Sequence, residues 1–189
     1  MTSASWTTQS GRALAMGSSE RYAYLDASAL VCMADGDLPK PDDRDARARA
    51  SLLAAFADPD VRLALSEHTL LEFSGVLTRR VGMGEFPDCN EEWYERSFGA
   101  VMAAIANGDI DVVPAPPKAA EHAIVLRRIA TRDHGIAFRV WDALHLITAT
   151  GWADALQLPV ELWTSDSDFR RFLDHFSYFE AYVTLVLLT

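Results

Sequence analysis

The sequence predicts an α/β protein, a single three-layer α/β/α domain around a central, mostly parallel five-stranded sheet. Three observations point there. Short apolar runs alternate with longer amphipathic ones, the pattern that βαβ units leave in a sequence. Acidic residues stand where several of the short runs end. No internal repeat, low-complexity block or dividing linker interrupts residues 21–189, and a chain of 189 residues suits one domain.

Taken in order, residues 1–20 are rich in Ser, Thr, Ala and Gly without a clear period, and they read as a flexible N-terminal extension. They lack the basic start and apolar stretch of a secretory signal. No window approaches the ~20 apolar residues needed to cross a bilayer, so a cytoplasmic protein without membrane contact is expected. Tyr22–Leu25 is the first strand, and Ser28–Met33 turns into a helix that Asp35-Gly36-Asp37 breaks. Residues 43–57, Ala-rich and charged on one side, suit an amphipathic helix ended by Asp58-Pro59.

Val61–Leu65 is the second strand. Ser66 or Thr69 can cap the helix that follows, whose apolar residues Leu70, Phe73, Val76 and Leu77 keep a helical spacing up to Gly82-Met83-Gly84. A long helix over 90–107 ends at Asn107-Gly108, a good left-handed terminus. Ile110–Val113 is the third strand, after which Pro117 suits a first helical position. Helices then span Ala119–Arg132 and about Arg139–Thr150. Val160–Thr164 is the fourth strand, Asp168–Asp174 a short helix, and Ala181–Leu188 the last strand.

Composition narrows the function. Half of the residues are hydrophobic and 23% are charged, enough for a sizeable core. With 17 Lys and Arg against 27 Asp and Glu the net charge is −10, which excludes a general polyanion-binding surface. Any nucleic-acid contact must come from a local basic patch. Cys32 and Cys89 are too few for a disulfide scaffold and read as reduced thiols.

The acids carry the chemistry. In open parallel sheets the binding crevice lies beyond the carboxyl ends of the strands. Asp26 follows the first strand and Asp166 the fourth; Asp142 sits near a helix start among Val140, Leu144 and Ile147, and Glu72 lies between Leu71 and Phe73. Carboxylates this close to apolar surface are costly to ionise without a cation or hydrogen bonds. Each also has a purely local reading. Asp26 can be a helix N-cap, Thr69-x-x-Glu72 has capping-box spacing, and Asp142 and Asp166 can favour the first turns of their helices.

Together, Leu25-Asp26-Ala27-Ser28-Ala29-Leu30, Leu71-Glu72-Phe73, Trp141-Asp142-Ala143-Leu144-His145 and Trp163-Thr164-Ser165-Asp166-Ser167-Asp168-Phe169 resemble the PIN domain nucleases, most of all the VapC-type toxins of bacterial toxin–antitoxin pairs. The resemblance runs from about Tyr22 to the C-terminus. It implies a five-stranded parallel sheet between helices, and it matches Asp26, Glu72, Asp142 and Asp166 to an acidic catalytic pocket. Ser28 and Thr164 match supporting polar positions, and Asp168 one that is often acidic. An N-terminal extension and a longer acidic insertion around Met83–Glu95 set the chain apart from many such toxins.

Four converging carboxylates would repel one another, and a hard divalent cation, Mg²⁺ or Mn²⁺, resolves the conflict. The expected activity is therefore metal-dependent endoribonuclease hydrolysis of RNA phosphodiester bonds. Asp26, Asp142 and Asp166 would hold the metal, and Glu72 would ligate it or orient water. One metal or two is left open. For the RNA backbone, Arg79-Arg80 and Arg170-Arg171 are preferred over Arg127-Arg128 with Arg132 and over Arg139, although solvated helix surface explains such clusters as well. His145 reads as a structural histidine at the helix–sheet interface, and Trp141 and Trp163 as core or pocket wall. The other histidines form no pattern. The resemblance further implies a small antitoxin laid over the pocket and a homodimer.

Three other functions compete. A PIN-like nuclease outside a toxin–antitoxin pair and a non-catalytic PIN-like binding module both keep the fold. An α/β phosphatase with an Asp nucleophile would need a second acid two residues after Asp26, where this chain has Ser28.

Overall fold

The computed structural model describes residues 20–38, 41–83 and 88–188. The extension read at residues 1–20 thus lies almost wholly outside the described residues, as does part of the insertion around Met83–Glu95. In chain order the elements are β1 (Arg21–Leu25), α1 (Ala27–Asp35), α2 (Asp43–Ala57), β2 (Val61–Leu65), α3 (Glu67–Met83), α4 (Glu91–Asn107) and β3 (Ile110–Val112). Then follow α5 (Ala119–His134), α6 (Val140–Leu156), β4 (Val160–Thr164), α7 (Asp168–His175), a 3₁₀ turn (Ser177–Ala181) and β5 (Val183–Leu187).

The five strands form one sheet in the order β3-β2-β1-β4-β5. Every pair is parallel, with Tyr24 opposite Ala64 on one side and opposite Leu162 on the other. The sheet is wholly parallel, where the sequence pattern required only a mostly parallel one. From β1 the chain first builds outward through β2 and β3, then crosses back to add β4 and β5. The reversal lies between β1 and β4, and a crevice opens at such a point because the two connections leave in opposite directions.

Alternation along the strands feeds two cores. Ala23, Leu25, Leu63, Leu65 and Trp163 face the core under α1–α4, whereas Tyr24, Ala64, Val160 and Leu162 face the core under α5–α7. Period-2 side-chain geometry requires that split once both faces of a sheet are covered.

Local differences have physical causes. Pro117 is not a helical residue: Ala119 N–H closes a turn onto Pro116 O at 3.0 Å, and Lys118 adopts a left-handed φ of 63°, so α5 starts after it. Helix α6 runs on to Leu156, with Ala153 buried beyond Thr150. Ser66 is the cap of α3, exchanging hydrogen bonds with Thr69 in both directions. That leaves Glu72 outside any capping box. As the sequence predicts, α4 ends at Gly108, left-handed at φ 78°. Among the described residues no helix is long and apolar enough to cross a membrane.

Candidate active site

Asp26, Glu72, Asp142 and Asp166 line one cavity of about 150 Å³, together with Ser28, Val31, Val76, Arg139 and Ser165. Topology explains the convergence. Asp26 directly follows β1 and Asp166 lies just beyond β4, the two strands that flank the reversal. Asp142 stands in the first turn of α6 and Glu72 in the second turn of α3.

Asp26 is both a cap and a pocket wall. Its Oδ1 accepts from Ala29 N–H at 2.9 Å and from Ser28 Oγ at 2.7 Å, while its Oδ2 accepts from Thr164 Oγ1 at 2.6 Å. Burial still pushes its carboxyl above the ordinary Asp range, and His145, Thr164 and Ser28 only partly draw it back. Ser28 and Thr164 thus support Asp26 directly. Thr164 Oγ1 also accepts from Asp166 N–H at 3.0 Å, and Ser28 Oγ from Ser165 N–H at 2.8 Å.

Asp142 and Asp166 also bond backbone at their own helix starts. Asp142 Oδ2 accepts from Arg139 N–H at 2.9 Å, and burial raises its carboxyl to about 6 despite the nearby guanidinium. Asp166 Oδ1 accepts from Asp168 N–H at 2.8 Å. Asp168 opens α7 and pairs with Arg171 at 3.5 Å, and it does not line the cavity. Each local reading of the sequence therefore holds for an Asp that also faces the pocket.

Behind the pocket lies a buried polar cluster. Glu72 Oε2 lies 2.9 Å from His145 Nε2, whose Nδ1 is 3.1 Å from the Tyr24 hydroxyl. That hydroxyl is 2.7 Å from Ser66 Oγ and 3.2 Å from Thr69 Oγ1, and Ser66 Oγ is 2.9 Å from His68 Nε2. Burial, reinforced by His145, lowers His68 to about 3 and keeps it neutral. Burial also raises the Tyr24 phenol. His145 sits at the helix–sheet interface, as its sequence position implies. His68 and Tyr24 carried no sequence signal beyond an apolar strand and a helix start.

The basic residues fall differently from the sequence preference. Arg139 is the basic side chain that lines the cavity. Its Nη2 lies 2.9 Å from Asp166 Oδ2 and its Nε 3.5 Å from Asp142 Oδ2. Arg80 instead pairs with Asp35 of α1, and Arg79 is exposed on α3. Arg170 borders a separate groove beside β5, and Arg171 pairs with Asp168. Trp163 is buried in the core, whereas Trp141 is 42% exposed and forms neither core nor pocket wall. The available signal for Arg139 was its spacing, three residues before Asp142 on the same helix start.

By type, the donor set fits a hard divalent cation: four carboxylates, no thiolate, and two of them held back from ionising by burial. As they stand, no three Asp, Glu, His or Cys side chains among the described residues are gathered closely enough to grip one.

No family model and no curated protein matches this chain. Solved structures do. VapC20 of Mycobacterium tuberculosis, described as a sarcin–ricin loop cleaving toxin, superposes with a TM-score of 0.52 at 19% identity, over 79% of this chain and 93% of that one. VapBC2 of Rickettsia felis, solved bound to a DNA fragment from its promoter, gives 0.53 at 12% identity, over 87% and 98%. The fold is the one shared by VapC20 and VapBC2. At these identities the likeness speaks for architecture alone.

Proposed function

We propose that this chain is a metal-dependent endoribonuclease that hydrolyses RNA phosphodiester bonds, and that it acts as the toxin of a type II toxin–antitoxin pair. One observation carries the nuclease reading: four carboxylates from four separate elements share one cavity at the reversal of a parallel sheet, two of them shifted upward by burial. A pocket that withholds ionisation from its own acids is short of positive charge, and a Mg²⁺ or Mn²⁺ ion would supply it.

Asp26, Asp142 and Asp166 would hold the ion. When bound, a divalent cation supplies Lewis acidity toward water and toward the phosphodiester oxygens. Asp26 is pre-set for the role, since Ser28, Ala29 and Thr164 fix both of its oxygens before anything binds. Glu72 would orient the attacking water in line with the scissile bond. His145 holds Glu72 through Nε2 and is itself held by Tyr24, so the carboxylate meets water in one orientation. Thr164 couples Asp26 to the Asp166 backbone and keeps the two strand ends in register.

The toxin reading rests on the fold shared with VapC20 and VapBC2 and on the motifs around Asp142 and Asp166. It implies an antitoxin partner encoded by a neighbouring reading frame. The purified chain should cleave RNA with Mg²⁺ or Mn²⁺, stop with EDTA, and leave p-nitrophenyl phosphate intact. Inactivity on every RNA tried, with either metal, would overturn the nuclease reading in favour of a binding module.

A further inference from the structure

The pocket already contains a cation of its own. Arg139 is the N-cap of α6, and its backbone N–H binds the same Asp142 carboxylate that its side chain faces. The guanidinium then reaches from Asp142 to Asp166, joining two acids that the chain carries 24 residues apart. Its charge is held there by Asp142 first, then by Asp166 and Glu72. The side chain remains 69% exposed, whereas Asp142 and Asp166 are 10% and 19% exposed. A long, open arm therefore lies across two nearly closed carboxylates.

We infer that Arg139 is a tethered counter-ion that occupies the Asp142–Asp166 face of the pocket and must swing away before a divalent cation binds there. This rests on the metal-dependent reading proposed above. Two features support it. The guanidinium covers the acids only from the open side, its side chain largely exposed while theirs are nearly closed. The grip is also easy to release, since contacts of a largely exposed guanidinium are individually weak. A guanidinium and a hard divalent ion compete for the same carboxylate lone pairs, so each lowers the apparent affinity of the other.

Competition differs from a general charge effect in where the charge must sit. Arg132 lies on α5 and is 72% exposed, away from the cavity. Removing it changes the net charge as much as removing Arg139 does.

The test is calorimetric titration of Mn²⁺ into the full chain without RNA, comparing wild type, Arg139→Gln, Arg139→Lys and Arg132→Gln. The expected result is Mn²⁺ binding tightened roughly three- to tenfold in Arg139→Gln, by an intermediate factor in Arg139→Lys, and little changed in Arg132→Gln. A second readout is thermal: Arg139→Gln should melt lower than wild type in EDTA and gain more from Mn²⁺. Equal or weaker Mn²⁺ binding by Arg139→Gln, with wild type binding measurably, overturns the counter-ion and leaves the nuclease reading intact. Equal tightening in Arg132→Gln overturns it too, as a long-range charge effect. No Mn²⁺ binding by any variant, joined to no RNA cleavage, overturns the nuclease reading and this inference with it.

Discussion

Two polar clusters meet at the Glu72–His145 bond, and they handle burial in opposite ways. The open one gathers Asp26, Glu72, Asp142 and Asp166 around a cavity, and Asp26 and Asp142 within it stay under-compensated. The closed one gathers Tyr24, Ser66, His68, Thr69 and His145 beneath the helices, and His68 and Tyr24 within it are held neutral. No buried side-chain polar atom among the described residues lacks a partner. A neutral network that is fully satisfied stabilises and stiffens a fold. A charged group that is only partly satisfied costs stability and is kept for what it can bind. Substitutions in the two clusters should therefore separate activity from stability.

The largest effect belongs to Asp26→Asn. Asn can still accept from Ser28 and Ala29, so circular dichroism and the melting temperature should stay close to wild type. RNA cleavage should fall by more than roughly 100-fold, because a neutral amide is a poor ligand for a hard cation. Full activity in this variant would end the assignment of the open cluster to catalysis.

Tyr24→Phe should act in the reverse sense. Removing the hydroxyl leaves the buried Ser66, Thr69 and His145 groups short of a partner, which costs about 1–3 kcal/mol in a urea titration. The requirement for metal should not change. An unaltered unfolding free energy would mean that the closed cluster contributes nothing to stability.

Asp142 sharpens the contrast through pH. Its native carboxyl lies at about 6, against 3.8 as the ordinary Asp value, so the folded chain binds this proton more tightly than the unfolded one. Ionising Asp142 therefore opposes folding. The penalty is absent below about pH 4, grows as pH rises through 6, and is complete above it. Asp142→Asn should be more stable than wild type by about 1–2 kcal/mol at pH 7.5 and no more stable at pH 4, while losing activity. Equal stability of the two proteins at pH 7.5 would contradict an under-compensated pocket.

The smallest effect is expected where the clusters join. His145→Ala should lower kcat roughly tenfold with little change in KM, because Glu72 loses its fixed orientation. His145→Gln, which can still donate to Glu72, should recover part of that loss. Recovery of stability without recovery of kcat would make His145 purely structural.

Much of this molecule could be read from residue order. Helix α2 over 43–57 and strands β2 and β4 match the spans read from the sequence to the residue, and α4 ends at its Gly108 stop. These signals are local, set within a few residues. The site was legible to the extent that its acids stand at strand ends and helix starts. Where the reading departed from the structure, the deciding partner was distant in sequence. Arg80 answers to Asp35, 45 residues away, and Tyr24 to His145, 121 residues away. Trp141, beside Asp142, reads from the sequence as core or pocket wall, yet successive residues on a helix point in different directions.

The sequence by itself determined the alternation of strands and helices, the absence of a general basic surface, and the placing of carboxylates at element ends, because each depends on composition or on neighbours along the chain. Only the tertiary structure decided that β4 returns beside β1, that the four acids share one cavity, and that Arg139 rather than the paired arginines reaches into it. Those outcomes depend on long-range packing of the sheet, where hydrogen bonding and burial bring together groups that no local period relates.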